Sequence, residues 1–285
     1  MSIGVAYIAS DVNKLDYCLE ASISSLTRLA DQISICTTDT DDNTLGLIEE
    51  LSDKYGRQRF IINIDDWQYD RQFQKVYRTK AMRALTTDWV LLVDADEVFH
   101  QAEIDKILIA SRITKCSKIN FKVNHYYGLP HWIHDHPAWY SRHTRMWKRS
   151  LDPICDERKG ESVCILRCNH DDDSTPLMSN VTIHHYGHTR DARVMGKKKL
   201  RFNGWYNNKK ETMYGALPEN INFEYGIPEL GHHNKYFVKA SNDIHPKTVI
   251  PWLQQEKFIS WFGQDHPDNI TNYQVYNPMV GNNEN

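Results

Sequence analysis

The sequence predicts an α/β protein: a mostly parallel, Rossmann-like sheet flanked by helices, followed by a C-terminal extension. Three observations carry this. Apolar runs alternate with helix-spaced stretches through the first hundred residues. One run, Trp89-Val90-Leu91-Leu92-Val93, is uninterrupted, as a strand buried on both faces requires. An acidic cluster, Asp94-Ala95-Asp96-Glu97, follows it directly.

Ile3 to Ala9 reads as the first strand. Leu15, Leu19, Leu26 and Leu29 share one side of a helix predicted over Leu15 to Leu29. Ile33 to Cys36 is strand-like, and Asn43 is placed to cap a helix over Thr44 to Lys54. Phe60 to Ile64 is a third strand, Arg71 to Leu85 a polar-faced helix, and Trp89 to Val93 the fourth strand. The acidic turn then leads into a helix over Gln101 to Ser111. Strand and helix in strict alternation imply parallel strands with right-handed crossovers. In such sheets a ligand sits beyond the C-terminal strand ends, where the acidic cluster falls. Residues 118–150 keep a β pattern but gather aromatics and histidines, and Val181 to His185 alternates again. A last apolar-aromatic helix is expected over Thr248 to Phe262.

Composition narrows the classes. The 285 residues, 40% hydrophobic and 25% charged, exclude disorder as the main state. No apolar run reaches the roughly 18 residues of a membrane helix. Met1 to Val5 has no basic segment and reads as the first strand, not a signal peptide. A net charge of -3 excludes a general polycation. Six cysteines without export signals lead us to expect a cytoplasmic protein with free thiols.

Two carboxylates at i and i+2 past a strand end point to the same side. Crowded carboxylates repel unless a cation lies between them, and they suit Mg²⁺ or Mn²⁺. Such an ion offsets charge on a departing diphosphate.

Trp89 to Glu97 resembles the W-V-L-x-x-D-A-D-E signature of GT-A-fold glycosyltransferases of family 2. Ile183-His184-His185-Tyr186-Gly187, followed by Arg190-Asp191 and Lys197, resembles that family's I-x-H-Y-G…R-D…K block. The likeness covers roughly residues 1–200. It implies a nucleotide-sugar-binding core over 1–190, with 191–285 packed on it as an extension. It implies a nucleotide-sugar donor, a UDP-sugar first, and transfer with inversion to an acceptor hydroxyl. Asp96 and His185 would hold the metal, and Asp94, Arg78, Asp39, Arg190 and Lys197 the donor. The sequence departs from the family at Thr37, where relatives carry an Asp that contacts the base, and at Thr79, where they carry Asn.

Inversion needs a base for the acceptor hydroxyl. Asp135, Glu157 and Glu161 are the candidates. His134, His136 and Trp139 lie in an aromatic-histidine stretch suited to stacking on sugars or bases. Arg190 to Lys210 holds eight basic residues against one acid, with aromatics between. Lys198, Arg201 and Trp205 are its acceptor-side candidates, and the pattern leans towards DNA carrying hydroxymethylpyrimidines. A surface polysaccharide or lipopolysaccharide acceptor is the alternative. A nucleotidyltransferase or a non-catalytic sugar-nucleotide-binding protein are further ones. Cys155, Cys164, Cys168 and His170 are a possible zinc set, against free or buried thiols.

Overall fold

The computed structural model describes residues 1–68, 72–134, 140–156, 165–168, 175–207, 237–239 and 244–255. Its first half alternates as expected. β1 (Ile3–Ala9), β2 (Gln32–Thr37), β3 (Phe60–Ile64) and β4 (Trp89–Leu92) are parallel, in the order β3-β2-β1-β4. The connecting helices are α1 (Leu19–Leu26), α2 (Thr44–Tyr55) and α3 (Phe73–Arg83). All four residues of β4 are buried, which explains its unbroken apolar run.

Beyond β4 the sheet continues antiparallel. β8 (Arg142–Lys148) pairs with β4, β6 (Lys118–Tyr127) with β8, β7 (Leu129–His134) with β6, and β12 (Phe237–Lys239) with β7. A separate hairpin joins β9 (Pro153–Asp156) to β10 (Ile165–Cys168).

One short strand was not anticipated. β5 (Glu97–Phe99) stands between the acidic turn and a 3-10 turn at Gln101–Glu103, which leads into α4 (Ile104–Ile113). It pairs antiparallel with β11 (Leu177–His188), setting His185 opposite Glu97 and His184 opposite Val98. β11 also runs parallel to β6, with His185 beside His125. Two motifs almost ninety residues apart in sequence are thereby held side by side. Tyr186 N–H closes the junction by donating to Asp96 O at 2.8 Å.

Two local expectations are corrected. α1 starts at Leu19, not Leu15, because Asp11 and Asp16 both take left-handed backbone ahead of it. α2 is capped by Asp42, not Asn43. Asp42 Oδ1 accepts from Thr44 N–H at 3.1 Å and Thr44 Oγ1–H at 2.7 Å, while Asn43 is itself left-handed with no capping bond.

The basic stretch forms α5 (Ala192–Asn207). α6 (Ile250–Leu253) is shorter than the helix expected there, of which residues 256–262 lie outside the described residues. Val249, Trp252 and Leu253 pack with Cys18, Ala21, Val98, Tyr126 and Tyr186, so this segment shares a core with the first half. No described helix is long and apolar enough to cross a membrane.

Candidate functional site

A pocket of about 370 Å³ opens at the C-terminal ends of β1 and β4. Trp67, Phe73 and Gln74 line one part of it, beside Ile8 and Ser10. Arg78, Asp94 and Asp96 lie along it, with Tyr17, His185, His188 and Lys198. The strand-end rule and the acidic motif therefore converge on one cavity.

Asp94 is held by two guanidinium groups. Arg78 donates to Oδ1 at 2.5 Å and Arg145 to Oδ2 at 2.9 Å. Burial pushes this carboxyl up, but Arg78 and Arg145 outweigh it and hold it below the usual range. Arg145 also donates to Glu97 Oε1 at 2.6 Å, and Glu97 Oε2 accepts from Asp94 N–H at 2.9 Å. Glu97 is fully buried, and burial together with the Asp94 charge raises its pKa despite Arg145.

Asp96 faces a different set. Its Oδ2 lies 3.1 Å from Lys198 Nζ and 3.3 Å from Arg190 Nη2. Burial opposes its charge, yet Lys198, His185 and Arg190 hold its carboxyl well below the ordinary value. Lys198 also donates to Gly187 O at 2.7 Å. Burial and the Arg190 charge pull Lys198 down to about 8, with Asp96 opposing them. Arg190 and Lys198 both sit against the Tyr17 ring, at 4.7 and 5.0 Å from its centroid.

Asp96 Oδ1 lies 3.5 Å from His185 Nε2. His185 Nδ1 is 2.8 Å from His125 Nδ1, whose Nε2 is 2.9 Å from Tyr140 O. Burial, then the neighbouring His185, push His125 down to about 3, so it is neutral. A carboxylate oxygen and an imidazole nitrogen thus face each other on the pocket wall. That donor pair suits Mn²⁺ or Mg²⁺. Among the described residues no group of three or more His, Cys, Asp or Glu could hold a metal alone. The glycine of the H-Y-G stretch has a steric reason. A Cβ at Gly187 would fall on Nε2 and Cε1 of the His185 ring.

The structure brings together Arg78, Asp94, Asp96, His185, Arg190 and Lys198. Lys198, expected on the acceptor side, sits on Asp96. Arg201 is buried against Asp11 at 3.6 Å. Lys197 is half-buried and does not line the pocket; Asp39 is exposed and does not line it either. His134 is buried, its ring 5.5 Å from that of Tyr127. Asp135, His136, Trp139, Glu157 and Glu161 lie outside the described residues, as does the side chain of Trp205. Cys155 is disulfide-bonded, which corrects the expectation of free thiols and removes it from a zinc set. The pairing of β9 with β10 brings two cysteine-bearing strands alongside each other. Cys18, Cys36 and Cys116 are free. Cys164, His170 and the side chain of Cys168 lie outside the described residues.

Sequence reasoning missed Glu97, Arg145, His125 and Tyr17. Glu97 sat in the D-A-D-E motif, but its pairing with Arg145 spans 48 residues and no spacing rule reaches that far. Buried polar atoms without a protein partner add a further sign. Gln74 Oε1 and Arg78 Nε, on pocket-lining residues, both lack one.

No family model matches the chain, and no curated protein matches it. Among solved structures, S. aureus TarS 1-349 in complex with UDP-GlcNAc is similar at 10% identity and a TM-score of 0.42. That match covers 89% of this chain and 79% of that one. The mannosyltransferase PcManGT from Pyrobaculum calidifontis, in complex with GDP-Man and Mn²⁺, is similar at 10% identity and a TM-score of 0.45. It covers 76% of this chain and 66% of that one. Against a longer S. aureus TarS chain the TM-score is 0.34 at 12% identity, and the match spans only 22% of that chain. Likeness of this degree assigns neither substrate nor mechanism, so the functional reading rests on the site.

Proposed function

We propose that the chain is a metal-dependent glycosyltransferase that moves a sugar from a nucleotide-sugar donor to an acceptor hydroxyl. One observation carries this reading. Asp96 Oδ1 and His185 Nε2 face each other in a pocket whose walls also carry Arg78 and Lys198. Two protein ligands leave most positions of a hard cation to other oxygens, and a diphosphate supplies them. A divalent cation bound there would neutralise charge on the departing nucleoside diphosphate.

The chain's own groups divide the remaining work. Lys198 and Arg190 fix the unused oxygen of Asp96, so its other oxygen keeps one direction. Arg78 lines the pocket beside Asp94 and offers an unpartnered Nε–H. A guanidinium there suits a phosphate oxygen. Trp67, Phe73 and Gln74 give one part of the cavity an apolar surface with an amide, suited to a nucleobase. Tyr127, Tyr140 and His188 suit the sugar and the acceptor. Burial and the Lys198 charge keep the His188 imidazole neutral, so it binds through hydrogen bonds and not as a cation. The base for the acceptor hydroxyl is not assigned to a described residue.

A DNA acceptor loses its main support. Of the eight basic residues between Arg190 and Lys210, Arg190, Lys198 and Arg201 are buried in contacts with Asp96 and Asp11. A glycan acceptor fits the remaining observations at least as well.

Calorimetric titration with UDP, GDP, CDP and TDP, with and without Mn²⁺, tests the donor site. One nucleotide is expected to bind with Mn²⁺, and Asp96→Asn to lose that binding. Binding that ignores both Mn²⁺ and Asp96→Asn contradicts the proposal.

A further inference from the structure

We infer that His125, backed by the Tyr140 carbonyl, is a positioning residue that fixes the tautomer of His185. It would hold Nε2 of His185 as a lone pair turned towards Asp96. The inference rests on reading Asp96 and His185 as the protein ligands of the divalent cation.

A carbonyl oxygen has no proton to give. His125 Nε2, 2.9 Å from Tyr140 O, therefore carries one and donates it. A neutral His125 then has a lone pair on Nδ1. That atom is 2.8 Å from His185 Nδ1, too close for two lone pairs to face each other. His185 must donate from Nδ1, so a His185 with a single ring proton, the form a cation can bind, has Nε2 bare. Opposite it stands Asp96 Oδ1 at 3.5 Å, an acceptor with no proton either. Two acceptors facing each other are satisfied by a cation placed between them.

The other tautomer shows what His125 prevents. With its proton on Nε2, His185 would donate to Asp96 Oδ1. That bond would occupy both proposed ligands at once. The relay makes it unfavourable, because His125 Nδ1 would then lose its donor in a dry place. His125 is 3% exposed. Its ring is edge-on to both neighbours, at 87° to His185 and 82° to Tyr140. The parallel pairing of β6 with β11 sets the two histidines side by side, and Gly187 leaves room for the second ring. Backbone register thus sets the two rings of the relay beside each other.

The test uses the full-length protein labelled with ¹⁵N-histidine, without metal, at a pH high enough that His185 carries a single ring proton. Nitrogen shifts report which ring atom of His185 carries the proton. Wild type is expected to show it on Nδ1. His125→Leu removes the acceptor and should move the proton to Nε2. His125→Asn keeps an oxygen near the old Nδ1 and should hold it in place. Mn²⁺ affinity, read by electron paramagnetic resonance with UDP present, should fall about 10- to 100-fold in His125→Leu. It should stay within about threefold in His125→Asn, the scale of a retained outer contact. Wild-type His185 carrying its proton on Nε2 would overturn the inference, and that result needs no variant to fold. So would a folded His125→Leu that binds Mn²⁺ as tightly as wild type. Wild type with the proton on Nδ1 but no Mn²⁺ binding upholds the relay and overturns the cation reading, so the two failures are distinguishable.

Discussion

Lys198 Nζ lies 3.1 Å from Asp96 Oδ2, although 102 residues separate the two in sequence. The ammonium is buried, and its pKa is drawn down to about 8 by burial and by Arg190. Asp96 needs a cation on this oxygen, and an incoming diphosphate needs positive charge nearby. Lys198 serves both needs only while it is protonated, and Arg190 shares the first.

Donor affinity should therefore fall as pH rises through about 8, the pKa at which Lys198 loses its charge. Lys198→Met should flatten that limb and weaken nucleotide binding at pH 7 by about tenfold or more, the worth of one charged hydrogen bond. Calorimetric titration of wild type and variant between pH 6.5 and 9.5 checks both statements.

Gly187→Ala should act on the site through the His185 ring. The added Cβ would fall on Nε2 and Cε1 of that ring, so the ring must turn away from Asp96. We expect Mn²⁺ affinity to fall by about tenfold or more, as for other displaced metal ligands. Mn²⁺ titration by electron paramagnetic resonance reads this, with circular dichroism to confirm the fold.

Arg145 bridges Asp94 and Glu97 while itself 2% exposed. Arg145→Met would leave a fully buried Glu97 without its counter-charge. Removing one partner of a buried pair costs about 3–5 kcal/mol. Urea unfolding should show a loss of that order. Nucleotide binding should also fall, because Asp94, which holds Arg78, loses its second guanidinium.

Acid should destabilise the fold in a definite window. Burial pushes His125, His143 and His184 each down to about 3. Unfolded histidines titrate near 6.5. Between these values the unfolded chain binds more protons than the folded one. Stability is therefore lost as pH falls from about 6.5 towards 3. Thermal melts from pH 7 to 4 should show a falling midpoint. His184→Phe, which keeps an aromatic against Tyr126, should shallow that slope.

Much of the fold was legible because its first half is local. Each of β1 to β4 announces itself by an apolar run and each helix by its spacing. The acidic turn was legible because β4 is buried on both faces and ends abruptly in Asp94. Boundaries failed where side chains act on nearby backbone. Asp42 took the cap expected of Asn43, and Asp16 delayed α1. The site's connections failed for a different reason. β5 is three residues long, too short for a period, and exists because β11 pairs with it. Arg145 and Lys198 reach the carboxylates from β8 and α5, and His125 reaches His185 from β6, by strand register and burial that no window of sequence contains.

The central claim is that this pocket holds a nucleotide-sugar through a cation on Asp96 and His185. Nucleotide release from a panel of UDP-, GDP-, CDP- and TDP-sugars tests it most directly. It should be run on wild type and Asp96→Ala, with Mn²⁺ and with EDTA. The account predicts slow hydrolysis of one donor by wild type with Mn²⁺, and none with EDTA or in Asp96→Ala. Release that survives both EDTA and Asp96→Ala would contradict it.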